Sequence, residues 1–328
     1  MPGAIEVQGV RKRFNDVVAL DGIDLEVAKG AVFGLLGPNG AGKTTTVRVL
    51  TTILAPDAGR ASVLGHDVVR EPQAVREVIG LAGQFAAVDG NLTGAENLQL
   101  IGRLTHLPRA LTKPRAMELL GRFDLADAAD RPVKTYSGGM RRRLDVAAAL
   151  VHRPAVLFLD EPTTGLDPQS RLDLWEMIRE LVAEGTTVLL TTQYLEEADR
   201  LAERIAVVDN GRVIAEGTPA ELKAQLGATV VEIGFVDDEV ATRAESIVVA
   251  IDGFADTHRE GRLLRLKADD GARVTMDVLR ALDGQAMVPA SLALREPSLD
   301  DVFLTLTGRH AEELPQGDPA PTEARASR

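Results

Sequence analysis

GPNGAGKT, Gly37 to Thr44, stands between the apolar run AVFGLLG (31–37) and the helix-forming TTTVRVLTTIL (44–54). A strand, a glycine-rich turn and a helix, in that order, fit the spacing G-x-x-x-x-G-K-[ST] in the context it requires. The glycines let successive backbone N–H groups turn inward around phosphate oxygens, and the helix adds the positive end of its dipole. Lys43 is then expected to reach the β and γ phosphates, and the Thr44 hydroxyl to help hold Mg²⁺. Gly37, Pro38, Asn39, Gly40, Ala41, Gly42, Lys43, Thr44 and Thr45 are the predicted lining of a nucleoside triphosphate site.

Two further apolar runs lie downstream. AVLFLDE (155–161) is strand-like and ends in two adjacent acids, which are costly on a buried strand unless a cation or protons compensate them. Asp160 is the expected partner of Mg²⁺ or its water, and Glu161 is placed to orient or deprotonate an attacking water. TVLLTT (187–192) delivers Gln193 to the carboxyl end of a strand, where open α/β sheets bind ligands. Between the acids and the glycine-rich turn, YSGGMRRRLDVAAAL (136–150) opens a helix with Ser137-Gly138-Gly139. That is either a second anion site or a plain helix cap.

Composition narrows the classes. Thirty-seven basic against forty-nine acidic residues give a formal charge of −12, which argues against a chain that coats nucleic acid. With no cysteine, disulfides, zinc–thiolate sites and thiol catalysis are impossible. No run approaches eighteen apolar residues, and MPGAIEVQGVRKRF lacks a signal core, so any pore is expected on another polypeptide. The arginines at 141–143 read as a solvated helix face.

Strands IEVQGV, IDLEVA, AVFGLLG, ASVLG and VIGLAG precede a helical stretch from about Leu92 to Leu150, and alternating strands and helices then indicate a mainly parallel, doubly covered sheet. The Asn-Gly of IAVVDNGRVIAEG predicts a hairpin, and TPAELKAQLG a capped helix closed at Gly227. After Gly227 the pattern becomes a small α+β unit: VVEIGF, DDEVATRAESIV, RLLRLKA, ARVTMDVLRAL, MVPASLAL and SLDDVFLTLT. The expected division is a nucleotide-binding domain over 1–227 with a helical subdomain at about 85–150, an accessory domain over 228–308, and a disordered tail over 309–328.

The order and spacing of these elements over 5–226 resemble the ATP-binding cassette (ABC) family of P-loop NTPases, whose mark among such enzymes is the SGG signature. The resemblance implies ATP as substrate, Mg²⁺ as cofactor, a mixed sheet core with a helical subdomain, and two cassettes facing head to tail. The signature of one copy then closes over the phosphate held by the other. Phe14 in KRF resembles the aromatic that stacks on adenine, usually a tyrosine. Gln84 in LAGQF resembles the loop glutamine near Mg²⁺ and the lytic water that couples to the membrane partner. Asp167 in TGLDP resembles the aspartate that meets the opposite phosphate loop. Tyr136 and Met140 depart from the usual LSGGQ. Gln193 stands where most of the family carry a γ-phosphate-sensing histidine, and its amide can donate to phosphate but cannot become cationic.

GQFAAVDGNLTGAENL, TTQYLEEAD and LREPSLDDVFLTLTG are similar to the daunorubicin/doxorubicin resistance group of that family. That likeness implies a separate integral-membrane permease, a second copy of the chain as partner, a peripheral place on the cytoplasmic face of the membrane, and efflux of an antibiotic or a lipid-like product. The alternative is a nucleotide-gated regulatory subunit with little hydrolysis. A single G-x-x-x-x-G-K-[ST] argues against a two-cassette ribosomal protein, and the lack of a long heptad run against a DNA-repair ATPase.

Overall fold

The continuous apolar runs form the centre of the molecule because they are covered on both faces. The computed structural model describes residues 3–83, 88–224, 229–249, 251, 253, 256–268, 270–295 and 298–307. The chain begins with a hairpin, β1 (Ile5–Phe14) and β2 (Val17–Val27), and continues through β3 (Val32–Leu36), α1 (Lys43–Leu50), β4 (Ala58–Val63), β5 (His66–Asp67), α2 (Pro72–Val78) and β6 (Ile79–Ala82). Three helices follow, α3 (Gly94–Leu104), α4 (Arg109–Arg122) and α5 (Gly138–Ala149). Then come β7 (Val156–Asp160), α6 (Pro168–Ala183), β8 (Thr187–Thr192), α7 (Leu195–Leu201), the hairpin β9 (Arg204–Asp209) and β10 (Arg212–Gly217), and α8 (Pro219–Ala224).

The central sheet has the order β10-β9-β3-β8-β7-β6, parallel except for the β9–β10 hairpin. Alternate residues of its strands face opposite ways. Phe33, Leu35, Phe158, Leu189 and Val208 pack toward α1 and the antiparallel sheet β2-β1-β4-β5, whereas Leu36, Leu159, Leu190 and Val207 pack toward α5, α6 and α7. Pairing of Leu36 with Thr192, and of Asp160 with Thr191, aligns the carboxyl ends of β3, β8 and β7 on one rim. The site is built on that rim.

The helical stretch expected from Leu92 to Leu150 is not continuous. Thr105 and Phe123 end the first two helices, and short 3₁₀ turns at Ala126–Ala128 and Val133–Thr135 lead into α5. Thr93 and Glu96 form a reciprocal capping box that starts α3. The first two strands extend beyond the expected runs IEVQGV and IDLEVA and form a hairpin, the chain turning at Asn15 in a left-handed conformation (φ 49°) directly after Phe14.

The C-terminal segment contains β11 (Thr229–Gly234), α9 (Asp238–Val248), β12 (Asp256–Glu260), β13 (Leu263–Ala268), α10 (Gly271–Asp283), β14 (Ser291–Arg295) and α11 (Leu299–Thr307). Its antiparallel sheet, β12-β13-β11-β14, packs Val231, Ile233, Leu264 and Leu266 against α9 and α10. β12, DTHRE, has no apolar periodicity and was not foreseen; it is a polar edge strand. α11 does not join this core. Leu299, Val302 and Phe303 are buried in the same apolar cluster as Leu222 of α8 and Ala198 and Leu201 of α7. Phe303→Ala should therefore lower stability by about 3–5 kcal/mol, as buried Phe truncations do, read by urea unfolding. A loss below about 1 kcal/mol would mean that α11 adds nothing to that core.

The expected boundary residue Gly227, the loop glutamine Gln84 and the tail 309–328 lie outside the described residues.

Candidate nucleotide site

The glycine-rich turn leaves β3 through Gly37, whose amide donates to the Thr192 carbonyl (3.3 Å). A side chain at Gly37 would run into the Val208 carbonyl, so glycine is required for the turn to lie this close to the sheet. Gly42, the residue before α1, has φ 110°, a left-handed conformation that L side chains rarely adopt. Together these place the N-terminal amides of α1 and the Lys43 side chain at the rim.

Lys43 is 4% exposed. Its Nζ donates to the carbonyls of Gly37 (2.6 Å) and Pro38 (3.0 Å) and lies 3.5 Å from Glu161 Oε1. Burial lowers its pKa, opposed by the charges of Glu161 and Asp160. Beside it, Asp160 Oδ1 accepts from Thr191 Oγ (2.6 Å) and Thr44 Oγ (3.1 Å). Two hard oxygen donors, one from the turn and one from the strand end, are thus side by side. Mg²⁺ takes few protein ligands and completes its shell with water and phosphate oxygens, so this pair fits it. Among the described residues no group of three or more His, Cys, Asp or Glu stands ready for a metal, so an all-protein cage is not what is built here.

Glu161 is buried with φ 49°, and its amide bonds to both the carbonyl (3.1 Å) and the hydroxyl (3.0 Å) of Thr191. A non-glycine residue held in the left-handed region by its neighbours is a feature of functional sites. Gln193, half-buried, follows β8 on the same rim, between Thr192 and Tyr194. Phe14 ends β1 and is 41% exposed beside the exposed Val17 and Val18, so it is not a core residue.

A second group forms around α5. Ser137 is its cap, accepting from the Met140 amide (3.1 Å), and both Ser137 and Gly138 are exposed. Nothing would obstruct a side chain at Gly138, whereas one at Gly139 would come within 2.5 Å of Ser170 Oγ. Asp167 caps α6, accepting from the amide (3.0 Å) and hydroxyl (2.7 Å) of that same Ser170, bonds that lower its pKa. Signature turn and Asp167 are therefore neighbours through Ser170. Tyr136, in the unusual flank, is buried and donates to the Ala128 carbonyl (2.6 Å), anchoring the turn.

The arginine run is not a uniformly solvated face. Arg142 donates to the carbonyls of Pro162 (2.7 Å), Gly83 (2.7 Å) and Asp160 (3.2 Å), joining α5 to the ends of β6 and β7. Sequence reading missed it because its partners are backbone groups of distant segments. Arg143 pairs with Asp124 (3.2 Å), and Arg141 is exposed.

A lysine buried against carbonyls and one carboxylate, at the start of a helix and beside an aspartate–threonine pair, makes a setting that suits an anion with several oxygens. That is the design of the P-loop nucleoside triphosphatases. Within that class, the model of the ABC transporter family matches residues 20–164, and that of the DrrA1-3-like C-terminal domain of ATP-binding proteins matches 217–307. The chain is 56% identical to daunorubicin resistance ATP-binding protein DrrA3 of Streptomyces coeruleorubidus, over 93% of this chain and 96% of that one. It is 52% identical to daunorubicin/doxorubicin resistance ATP-binding protein DrrA of Streptomyces peucetius, over 94% of each. Nod factor export ATP-binding protein I of Ralstonia nicotianae is 42% identical over 94% of this chain and 95% of its own. Among solved structures, an ATP-binding subunit of an ABC transporter superposes with a TM-score of 0.62 at 28% identity, covering 68% of this chain and 93% of its own. A dimeric cassette in a post-hydrolysis state, bound to ADP and Pi, gives 0.60 at 25% identity, covering 65% and 98%. The chain belongs to the ABC transporter ATP-binding proteins of the DrrA type. Its reaction is ATP hydrolysis coupled to transport.

Proposed function

We propose that this chain is the ATP-hydrolysing subunit of an antibiotic exporter, working as a head-to-tail pair beneath a separate integral-membrane permease on the cytoplasmic face. The observation that carries the substrate class is the 56% identity, over nearly the whole length, to a daunorubicin resistance ATP-binding protein. Among the described residues no helix is long and apolar enough to cross a membrane, which is compatible with a pore on another chain.

In this reading the amides of 37–45 and Lys43 bind the triphosphate, and Phe14 stacks on adenine. Thr44 and Asp160 would hold Mg²⁺, with Gln84 near the same place; the ion would neutralise charge on the β and γ phosphates. Glu161 orients the attacking water and takes its proton. Gln193 donates its amide hydrogen to the γ-phosphate. Ser137, Gly138, Gly139 and Asp167 come from the second copy, and the exposure of Ser137 and Gly138 leaves them accessible to it.

The test is export itself. The chain is expressed with its permease in a host sensitive to daunorubicin, and ATP-driven uptake of the drug is followed in inside-out vesicles. The expected result is uptake that disappears with Glu161→Gln. Absence of daunorubicin uptake by the parent pair would overturn the antibiotic assignment, and uptake that survives the substitution would overturn hydrolysis at Glu161 as its drive.

A further inference from the structure

Glu197 is a carboxylate with no exposed surface on α7, four residues beyond Gln193. Its Oε1 accepts from Nε1 of Trp175, the single tryptophan of the chain (3.1 Å). Around it stand Thr192, Thr163 and Arg171, from three segments that matter to the site. Thr192 precedes Gln193 and shapes its turn, its hydroxyl accepting from the Tyr194 amide (2.9 Å). Thr163 follows Glu161 by two residues, in the loop that ends at Asp167. Arg171, near the start of α6, lies over the Tyr194 ring at 5.0 Å.

This cluster is incompletely satisfied. Among the described residues, Glu197 Oε2, Thr163 Oγ and Arg171 Nε are buried side-chain atoms without a hydrogen-bond partner, and all three lie here. The Thr163 hydroxyl is close enough to lower the pKa of the Glu197 carboxyl, yet outside hydrogen-bond geometry. Burial nevertheless raises that pKa, against the pull of the neighbouring hydroxyls, the Trp175 indole and Arg171. A buried carboxyl that interacts with hydroxyls from two loops ties those loops to each other, because a buried polar group is expensive to leave without partners.

We propose that Glu197 is a positioning residue for hydrolysis: its carboxyl joins the Thr192–Tyr194 turn to the 161–167 loop through the Thr192 and Thr163 hydroxyls, and so sets Gln193 against Glu161. The inference rests on the reading of Gln193 given above. Trp175 fixes the carboxyl from the side of α6, and Arg171 with Tyr194 covers it from solvent.

A double-substitution cycle on the purified full chain tests it, with ATP turnover, ATP affinity and the unfolding midpoint measured for each variant. Glu197→Ala is expected to lower kcat about tenfold or more while ATP affinity stays within about twofold. Glu197→Gln, which can accept from Trp175 and donate to Thr163, should restore most of that turnover. Thr163→Val leaves Glu197 in place and should lower kcat in the same sense, so the test stands even if Glu197→Ala folds poorly. In a Gln193→Ala background either substitution should cost less than about twofold more. Multiplying losses in that background, with Gln193→Ala itself impaired, would overturn the positioning role alone. A Gln193→Ala chain with unchanged turnover would overturn the Gln193 reading and this inference with it. Parallel losses of affinity, midpoint and kcat would reduce Glu197 to a structural residue.

Discussion

Glu161→Gln should cut steady-state ATP turnover about 10²- to 10⁴-fold, the usual contribution of a general base, with ATP still bound and the chain held as a dimer. The geometry makes the substitution clean. Glu161 is fixed by its own backbone, through bonds from its amide to the Thr191 carbonyl and hydroxyl, so an amide side chain leaves its placement intact. Glutamine keeps an oxygen for Lys43 but cannot take a proton from water. ATP that is bound and not cleaved then keeps both anion sites occupied, and the pair cannot release. Turnover is read from phosphate release and dimerisation from light scattering with and without Mg²⁺-ATP. Unchanged turnover would remove Glu161 from the role of base, and a monomer that binds ATP without turnover would remove the two-site clamp.

Lys43→Ala should weaken ATP binding about 100-fold, because two charge-assisted contacts of about 1.5 kcal/mol each are lost and 1.4 kcal/mol is a factor of ten. Stability should behave differently. A lysine whose pKa is lowered by burial disfavours the fold in its charged form, and this burden is greatest below the ordinary lysine pKa. Its removal relieves that burden but leaves the buried Glu161 carboxylate and the Gly37 and Pro38 carbonyls without their cation, so the two contributions to stability oppose each other. Calorimetric titration with ATP and thermal unfolding without nucleotide separate binding from stability. A variant that binds ATP normally would show that Lys43 is not the phosphate ligand.

The phosphate turn, the strand-end acids and the SGG turn were legible because each is a local pattern: glycines where backbone must approach closely, acids ending an apolar strand, a serine opening a helix. The same locality hid the rest. Arg142 was misread because nothing around 141–143 shows that the middle arginine meets carbonyls from residues 83, 160 and 162. Glu197 sits in an acidic run that looks solvent-facing, although its spacing to Leu201 places it on the buried face of α7. α11 is apolar enough to be seen as a helix, but where it docks depends on tertiary packing that periodicity does not encode.

The contact between Lys43 and Glu161 has a consequence for how the empty cassette behaves. The ammonium has three protons, and two are given to the Gly37 and Pro38 carbonyls, leaving the Glu161 carboxylate to meet the third direction of charge. A phosphate bound there would compete for that same cation, so occupancy of the proposed nucleotide site and the hold of Lys43 on Glu161 are linked through Nζ. With Glu161 as the proposed base, the arrangement acts as an interlock: the lysine that holds its carboxylate is the same one that the charge of a bound phosphate would draw away.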